Sequence, residues 1–157
     1  MTFIEGYHVG LVVADLDATM TEFEDLMGVR WASQQHRDFP VRTRDGLVQA
    51  QFRFTYSTHV SGPCLVELIE GPRNTPWDPG DGPWAFHHLG YWADDLAGQS
   101  TRLEEAGAVL DATAGEDGDP RGFAYHLLQQ GPRVELVDAT RRPTFQEWLA
   151  GGDFPQA

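Results

Sequence analysis

Lysine is absent from this chain: all 11 basic residues are arginine, set against 24 aspartates and glutamates. Without lysine no side-chain Schiff base can form, and no phosphate-binding loop of the lysine-bearing kind can exist. The net charge of −13 offers no cationic face to nucleic-acid phosphates or to an anionic membrane surface, so neither partner is expected. The one cysteine, Cys64, permits no internal disulfide and no Cys-x-x-Cys metal pair, which points to a reducing compartment. Long apolar runs are missing too. The run Val9–Val13 follows Glu5 with no basic residue before it, unlike a secretory signal, and nothing approaches the ~20 residues needed to span a bilayer. Together these absences imply a cytoplasmic protein.

What the chain does have is an internal repeat. His8-Val-Gly-Leu-Val-Val-Ala-Asp-Leu16 is answered by His88-Leu-Gly-Tyr-Trp-Ala-Asp-Asp-Leu96, with the histidine, glycine, aspartate and leucine in register. A second echo pairs Leu65-Val-Glu-Leu-Ile-Glu70 with Arg133-Val-Glu-Leu-Val-Asp138. Each half therefore opens on a histidine strand and closes on a glutamate strand. At 157 residues the chain suits a single domain (1–157), burying roughly two-thirds of its unfolded surface. Within it we read module one over about 5–70, a linker over 71–86, module two over about 87–139 and a tail over 140–157.

In order, Tyr7–Ala14 reads as a strand and Asp17–Met27 as a helix with Met20, Phe23, Leu26 and Met27 inward. Gly28 is its stop. Strand-like runs follow at Val29–Ser33, Phe39–Arg42 and Leu47–Phe54, with a turn at Arg44-Asp-Gly46, and then at Cys64–Ile69 after Pro63. The linker carries four prolines and the tryptophans Trp77 and Trp84; it is either an irregular loop pinned by its aromatics or a lid over a pocket. The second module repeats the order: a strand at His88–Ala93, a helix over Leu96–Ala106, a strand at Val109–Ala112, then a hairpin of Phe123–Gln129 and Arg133–Ala139. One short tail helix is expected near Phe145–Leu149. Strand, helix and several strands, twice over, give an α+β fold with helices on one face of the sheet and a cleft on the other.

Alone, His8 would be an ordinary core or surface histidine, and Glu67 a costly carboxylate in an apolar strand. Duplication changes that reading. A pseudo-twofold axis would gather His8, Glu67, His88 and Glu135, and two imidazoles with two carboxylates make a site for one divalent ion such as zinc, nickel, cobalt, manganese or iron(II). His88 rather than His87 keeps the repeat in register, so His87 is expected on the opposite face in a packing role. His36 and His59 have no echo and read as loop or solvent residues. His126 depends on the hairpin: a two-residue turn sets it opposite Glu135 and into the cleft as a proton carrier, a three-residue turn reverses its facing.

The His-x-Gly-x-x-x-x-Asp-Leu pattern followed by an amphipathic helix, with Val-Glu-Leu closing each module, resembles the vicinal oxygen chelate superfamily over about Tyr7 to Asp138. Among its members the pattern is closest to glyoxalase I and methylmalonyl-CoA epimerase. The resemblance implies two βαβββ modules in tandem, forming an open cupped mixed sheet around a metal held by His8, Glu67, His88 and Glu135. It further implies a lyase or isomerase/epimerase that abstracts a proton next to a carbonyl, with the enolate or enediolate stabilised by the metal and with Glu67 and Glu135 as base and acid. An extradiol dioxygenase is the second enzymatic reading, disfavoured because Glu67 would occupy a position its substrates need. A drug-sequestering resistance protein is the third: five tryptophans and an acidic balance suit a cationic aromatic ligand, but retention of all four ligand positions favours an enzyme. The substrate is then a small molecule, aromatic or an acyl thioester; a glutathione adduct is less favoured because the second half is poor in arginine. Unpaired sheet edges would suit a homodimer.

Overall fold

The computed structural model describes residues 4–58 and 64–154; Pro63 and His59 lie outside them. Module one comprises β1 (Glu5–Val13), α1 (Leu16–Met27), β2 (Gln35–Thr43), β3 (Gly46–Tyr56) and β4 (Leu65–Glu70). Module two comprises β5 (Trp84–Ala93), α2 (Leu96–Glu105), β6 (Val109–Ala114), β7 (Arg121–Leu127) and β8 (Arg133–Asp138). A 3₁₀ turn at Ala139–Arg141 leads into α3 (Arg142–Leu149). The eight strands follow the order β1-β4-β3-β2-β6-β7-β8-β5, so both modules use one internal order. They meet where equivalent strands pair antiparallel, β1 with β5 and β2 with β6, as a twofold relation demands.

The repeat's Asp-Leu pair has a local cause. Asp15 and Asp95 cap the two helices, their side chains accepting from Ala18 N and Gly98 N and satisfying amides that the first turn leaves free. The leucine that follows, Leu16 or Leu96, is the first buried residue of each helix. It packs on its own module's strands, with Val13 and Leu68 under α1 and with Ala93, Ala124 and Leu136 under α2. Gly28 closes α1 in the left-handed conformation, φ 67°, which glycine adopts without strain.

Three expectations change in the folded chain, and the linker takes one of its two expected forms. The cup curves until β2 and β6 touch through Arg42–Thr113 and Thr43–Ala112, closing the sheet; this removes the unpaired edges on which the expected homodimer rested. Leu26 and Met27 are exposed rather than inward; the α1 residues packed with β1 and β4, Leu16 and Met20, lie in its first half. Val29–Ser33 is no strand, contributing a single bridge from Trp31 to Ser57. The linker is an anchored loop: Trp77 is fully buried, stacks on Phe52 at 4.6 Å and donates from Nε1 to the Tyr125 hydroxyl at 3.3 Å, whereas Trp84 is 60% exposed on β5. Among the described residues no helix is long and apolar enough to cross a membrane.

Candidate metal centre and its cavity

Two rows of three residues run across the middle of the sheet. Gly10 on β1 has Glu67 of β4 on one side and His88 of β5 on the other. Gly90 on β5 has His8 of β1 on one side and Glu135 of β8 on the other. The glycine of His-x-Gly thus gives the facing module's histidine its space. A Cβ at Gly10 would sit against the His88 ring, and one at Gly90 against the His8 ring, in both cases well inside van der Waals contact. Alternation then sends all four polar side chains to the interior.

They converge. His8 Nε2 and His88 Nε2 lie 2.7 Å apart. Glu67 Oε2 is 3.4 Å from the former and 3.2 Å from the latter, and Glu135 Oε2 is 3.1 and 3.3 Å away. All four donor atoms fall within 4.8 Å of one another and all four residues are buried. Two nitrogens and two oxygens each about 2.1 Å from one ion would stand roughly 3 Å from their neighbours, so the spacing and the donor set both fit a divalent ion. Glu67 Oε2 and Glu135 Oε2 are otherwise buried without a hydrogen-bond partner, the condition that a cation relieves.

Electrostatics say the same. Burial opposes charge on His88, yet Glu135 and Glu67 beside it raise its pKa to about 9. Burial pushes both carboxyls up, but the histidines outweigh it and leave Glu67 and Glu135 below the usual carboxylate value. The pocket therefore demands positive charge, supplied by a proton on His88 or by an ion that displaces it.

Bulges set what surrounds the four. On β1 the register skips Tyr7, and on β5 it skips His87, the residues just before each histidine. A bulged residue escapes strict alternation, so both come to the interior side. His87 was expected on the opposite face; its Nδ1 instead lies 2.8 Å from His88 Nδ1, and its Nε2 2.7 Å from the Pro76 carbonyl. A carbonyl only accepts, so His87 Nε2 carries the proton. Burial, and then the charge of His88, hold His87 well below its ordinary pKa, so its Nδ1 is a bare acceptor. His88 must then donate from Nδ1, which leaves its Nε2 lone pair aimed at the centre. Tyr125, directly opposite Glu135, and Tyr7 and Tyr56 complete the surround. Burial first, and then the two glutamates, raise all three phenols well above their ordinary value, so they remain neutral donors. Sequence reasoning missed these tyrosines; the only signal was Tyr7 standing where the repeat places His87.

His126 is not at the centre. Leu127 pairs with Arg133, so the connection spans five residues, 128–132, and its odd length puts Tyr125 opposite Glu135. His126 points outward beneath α2, fully buried, with Nε2 2.9 Å from Ser100 Oγ. The expected proton carrier is thereby corrected to a packed histidine, the outcome that an odd turn implied. His36 is exposed on β2 near the cavity mouth.

The cluster forms the floor of a cavity of about 620 Å³. Glu67 and Glu135 reach its surface while the histidines stay beneath. Rings of Phe39, Phe52, Phe54, Trp92 and Phe123 wall it, and Arg37, Arg121 and Arg141 stand on its lining. The volume lies in the range of small-molecule sites.

A sequence profile of the Glyoxalase/Bleomycin resistance protein/Dioxygenase superfamily matches residues 7–125. An uncharacterised Bacillus subtilis protein, YwbC, is 25% identical over 137 residues, 86% of this chain and 95% of its own. Among solved structures, methylmalonyl-CoA epimerase from Mycobacterium tuberculosis superposes with a TM-score of 0.57 at 19% identity, covering 85% of this chain and 86% of that one. A triple mutant of 4-hydroxymandelate synthase from Streptomyces coelicolor gives 0.58 at 20% identity, covering 88% of this chain but 39% of that one. At such identities the likeness is one of fold. The profile, however, runs through the first histidine strand, its glutamate partner and most of the second module, and on that ground the chain belongs to the glyoxalase/bleomycin resistance/dioxygenase superfamily.

Proposed function

We propose that this chain is a divalent-metal-dependent lyase or isomerase/epimerase that moves a proton at the carbon next to a carbonyl, with the ion held by His8, Glu67, His88 and Glu135. One observation carries the reading: two buried carboxylates, set against the two histidines between them, form the floor of a substrate-sized cavity. A bound ion would supply a Lewis acid where negative charge develops on the substrate oxygen. Glu67 and Glu135 come from symmetry-related strands and both reach the cavity, so one removes the proton from carbon and the other returns it. The neutral hydroxyls of Tyr7, Tyr56 and Tyr125 serve as fixed donors, and the aromatic walls exclude water. Sequestration of a cationic drug fits less well, because the cavity carries arginines in its lining despite the acidic chain.

Metal analysis of the purified wild type beside Glu67→Gln and His88→Ala tests the ligand set: near-stoichiometric metal in the wild type and its loss in His88→Ala are expected, and full retention in His88→Ala would overturn it. Solvent deuterium exchange into 2-oxo acids and acyl thioesters tests the reaction. No exchange across such a panel, with oxygen uptake on catechols by iron(II)-loaded protein instead, would move the assignment to a dioxygenase.

A further inference from the structure

Acids outnumber arginines in this chain by 24 to 11, and several arginines are closely paired: Arg53 with Glu70 at 2.8 Å, Arg133 with Asp111 at 2.8 Å and Arg142 with Glu5 at 2.6 Å. Arg37 and Arg141 differ. Among the described residues neither forms an ion pair with a carboxylate, although both line the cavity. The Arg37 guanidinium lies 4.2 Å from the Phe154 ring centroid and 5.9 Å from that of Phe54, and it donates to the His36 carbonyl at 3.2 Å. The Arg141 guanidinium lies over Gly122, at a distance where an added Cβ would make ordinary van der Waals contact with it. Asp38, which also lines the cavity, has its carboxylate engaged by the Gln49 and Gln51 amides. Burial and then the charge of Arg141 depress the Arg37 guanidinium, so the two like charges feel each other across the opening.

We propose that Arg37 and Arg141 form an anion-binding subsite at the mouth of the cavity, and that the substrate is an organic acid whose apolar, ring-sized body spans from that subsite to the carboxylate floor. The floor end of this assignment rests on the metal reading above; the mouth end does not. Paired guanidiniums offer forked donors that match a carboxylate, sulfonate or phosphate. The cavity is then polar end to end, with negative side chains at the floor and positive ones at the mouth, and this orients an acid so that its charged group cannot bind backwards in the metal-free protein. Phe39, Phe52 and Phe123 occupy the stretch between, where a flat or extended apolar body loses water.

The test uses two fluorescent probes on one ring skeleton, anilinonaphthalene sulfonate and the neutral phenylnaphthylamine, titrated into the full chain with chelator present and again after metal loading. Neither probe carries adjacent chelating oxygens, so the result stands whether or not the metal reading holds. Wild type is expected to bind the sulfonate at least tenfold more tightly than the neutral probe. Arg37→Gln and Arg141→Gln are each expected to weaken sulfonate binding about tenfold while leaving phenylnaphthylamine within twofold, which also reports that the cavity is intact. The Arg37→Lys/Arg141→Lys double variant should recover only part of the lost affinity, because it keeps the charge without the forked geometry. Equal affinities for the two probes in wild type, or a sulfonate preference that survives Arg37→Gln/Arg141→Gln, would overturn the proposal. A preference found only in metal-loaded protein and indifferent to both arginines would place the anion on the ion and overturn it likewise.

Discussion

Replacing Gly10 with alanine puts one methyl group where the His88 ring lies. The Cβ would stand 2.7 Å from Nε2, with two further ring atoms nearer still, against an ordinary contact of about 3.5 Å. The ring has to retreat by roughly 1 Å, several times the ~0.2 Å within which ligand distances must hold. His88 is therefore removed as a ligand without being mutated. If a four-ligand zinc site is worth about 10–16 kcal/mol, one ligand accounts for roughly 3 kcal/mol, and zinc affinity should fall about two orders of magnitude. The same overpacking costs the metal-free fold about 1–3 kcal/mol, which for a domain of this size lowers the melting temperature by roughly 2–12 °C. Competition against a chromophoric chelator reads the affinity, and thermal melts in chelator read the fold. Gly6→Ala on the same strand is the control, because its added Cβ would meet the Tyr91 ring no closer than 3.2 Å and should leave affinity unchanged. Gly10→Ala combined with His88→Ala should lose little more than Gly10→Ala alone. Wild-type zinc affinity in a folded Gly10→Ala variant would refute the argument that this glycine exists to seat the histidine.

Other outcomes follow from the same geometry. His87→Phe removes the acceptor that fixes the His88 tautomer, and metal affinity should drop about 10- to 100-fold in the chelator competition; an unchanged affinity would dismiss the relay through Pro76. The His88 pKa is raised from 6.5 to about 9 in the folded metal-free protein, so its stabilising contribution is fully present below pH 6.5 and is lost as pH rises through about 9. Melts in chelator should decline across that window, and a flat profile would contradict it. Metal uptake at pH 7.5 should correspondingly release about one proton, measured by calorimetry in buffers of different ionisation enthalpy. Trp77→Ala should cost about 3–5 kcal/mol, seen as a lower denaturation midpoint, because a fully buried indole, its stack on Phe52 and its bond to Tyr125 all go.

The part of this fold legible in the sequence is the part that the duplication wrote twice. Two matched histidines and two matched glutamates in strand-like runs sufficed to bring four side chains to one place, and Asp15 and Asp95 announced both helix starts. Departures from strict alternation were illegible. A bulge adds one residue with no compositional mark, so Tyr7 and His87 could not be turned inward from pattern alone, and the facing of His126 hung on whether a turn was odd or even. Leu26 and Met27 follow helical spacing, but spacing does not say how far a helix stays against its sheet. Arg37 and Arg141 stand 104 positions apart on unlike elements, and only the curling of β2 towards module two makes them neighbours.

The two glycine-centred rows carry a consequence for how such a centre could arise. Each module contributes one imidazole and one carboxylate, and each lends a bare backbone position to the other's ring. A polypeptide half as long, meeting its own copy across the same axis, would present an identical quartet of donors; fusing the two copies adds no donor but frees each wall of the cavity to diverge, so that Arg37 can come from one half and Arg141 follow the other.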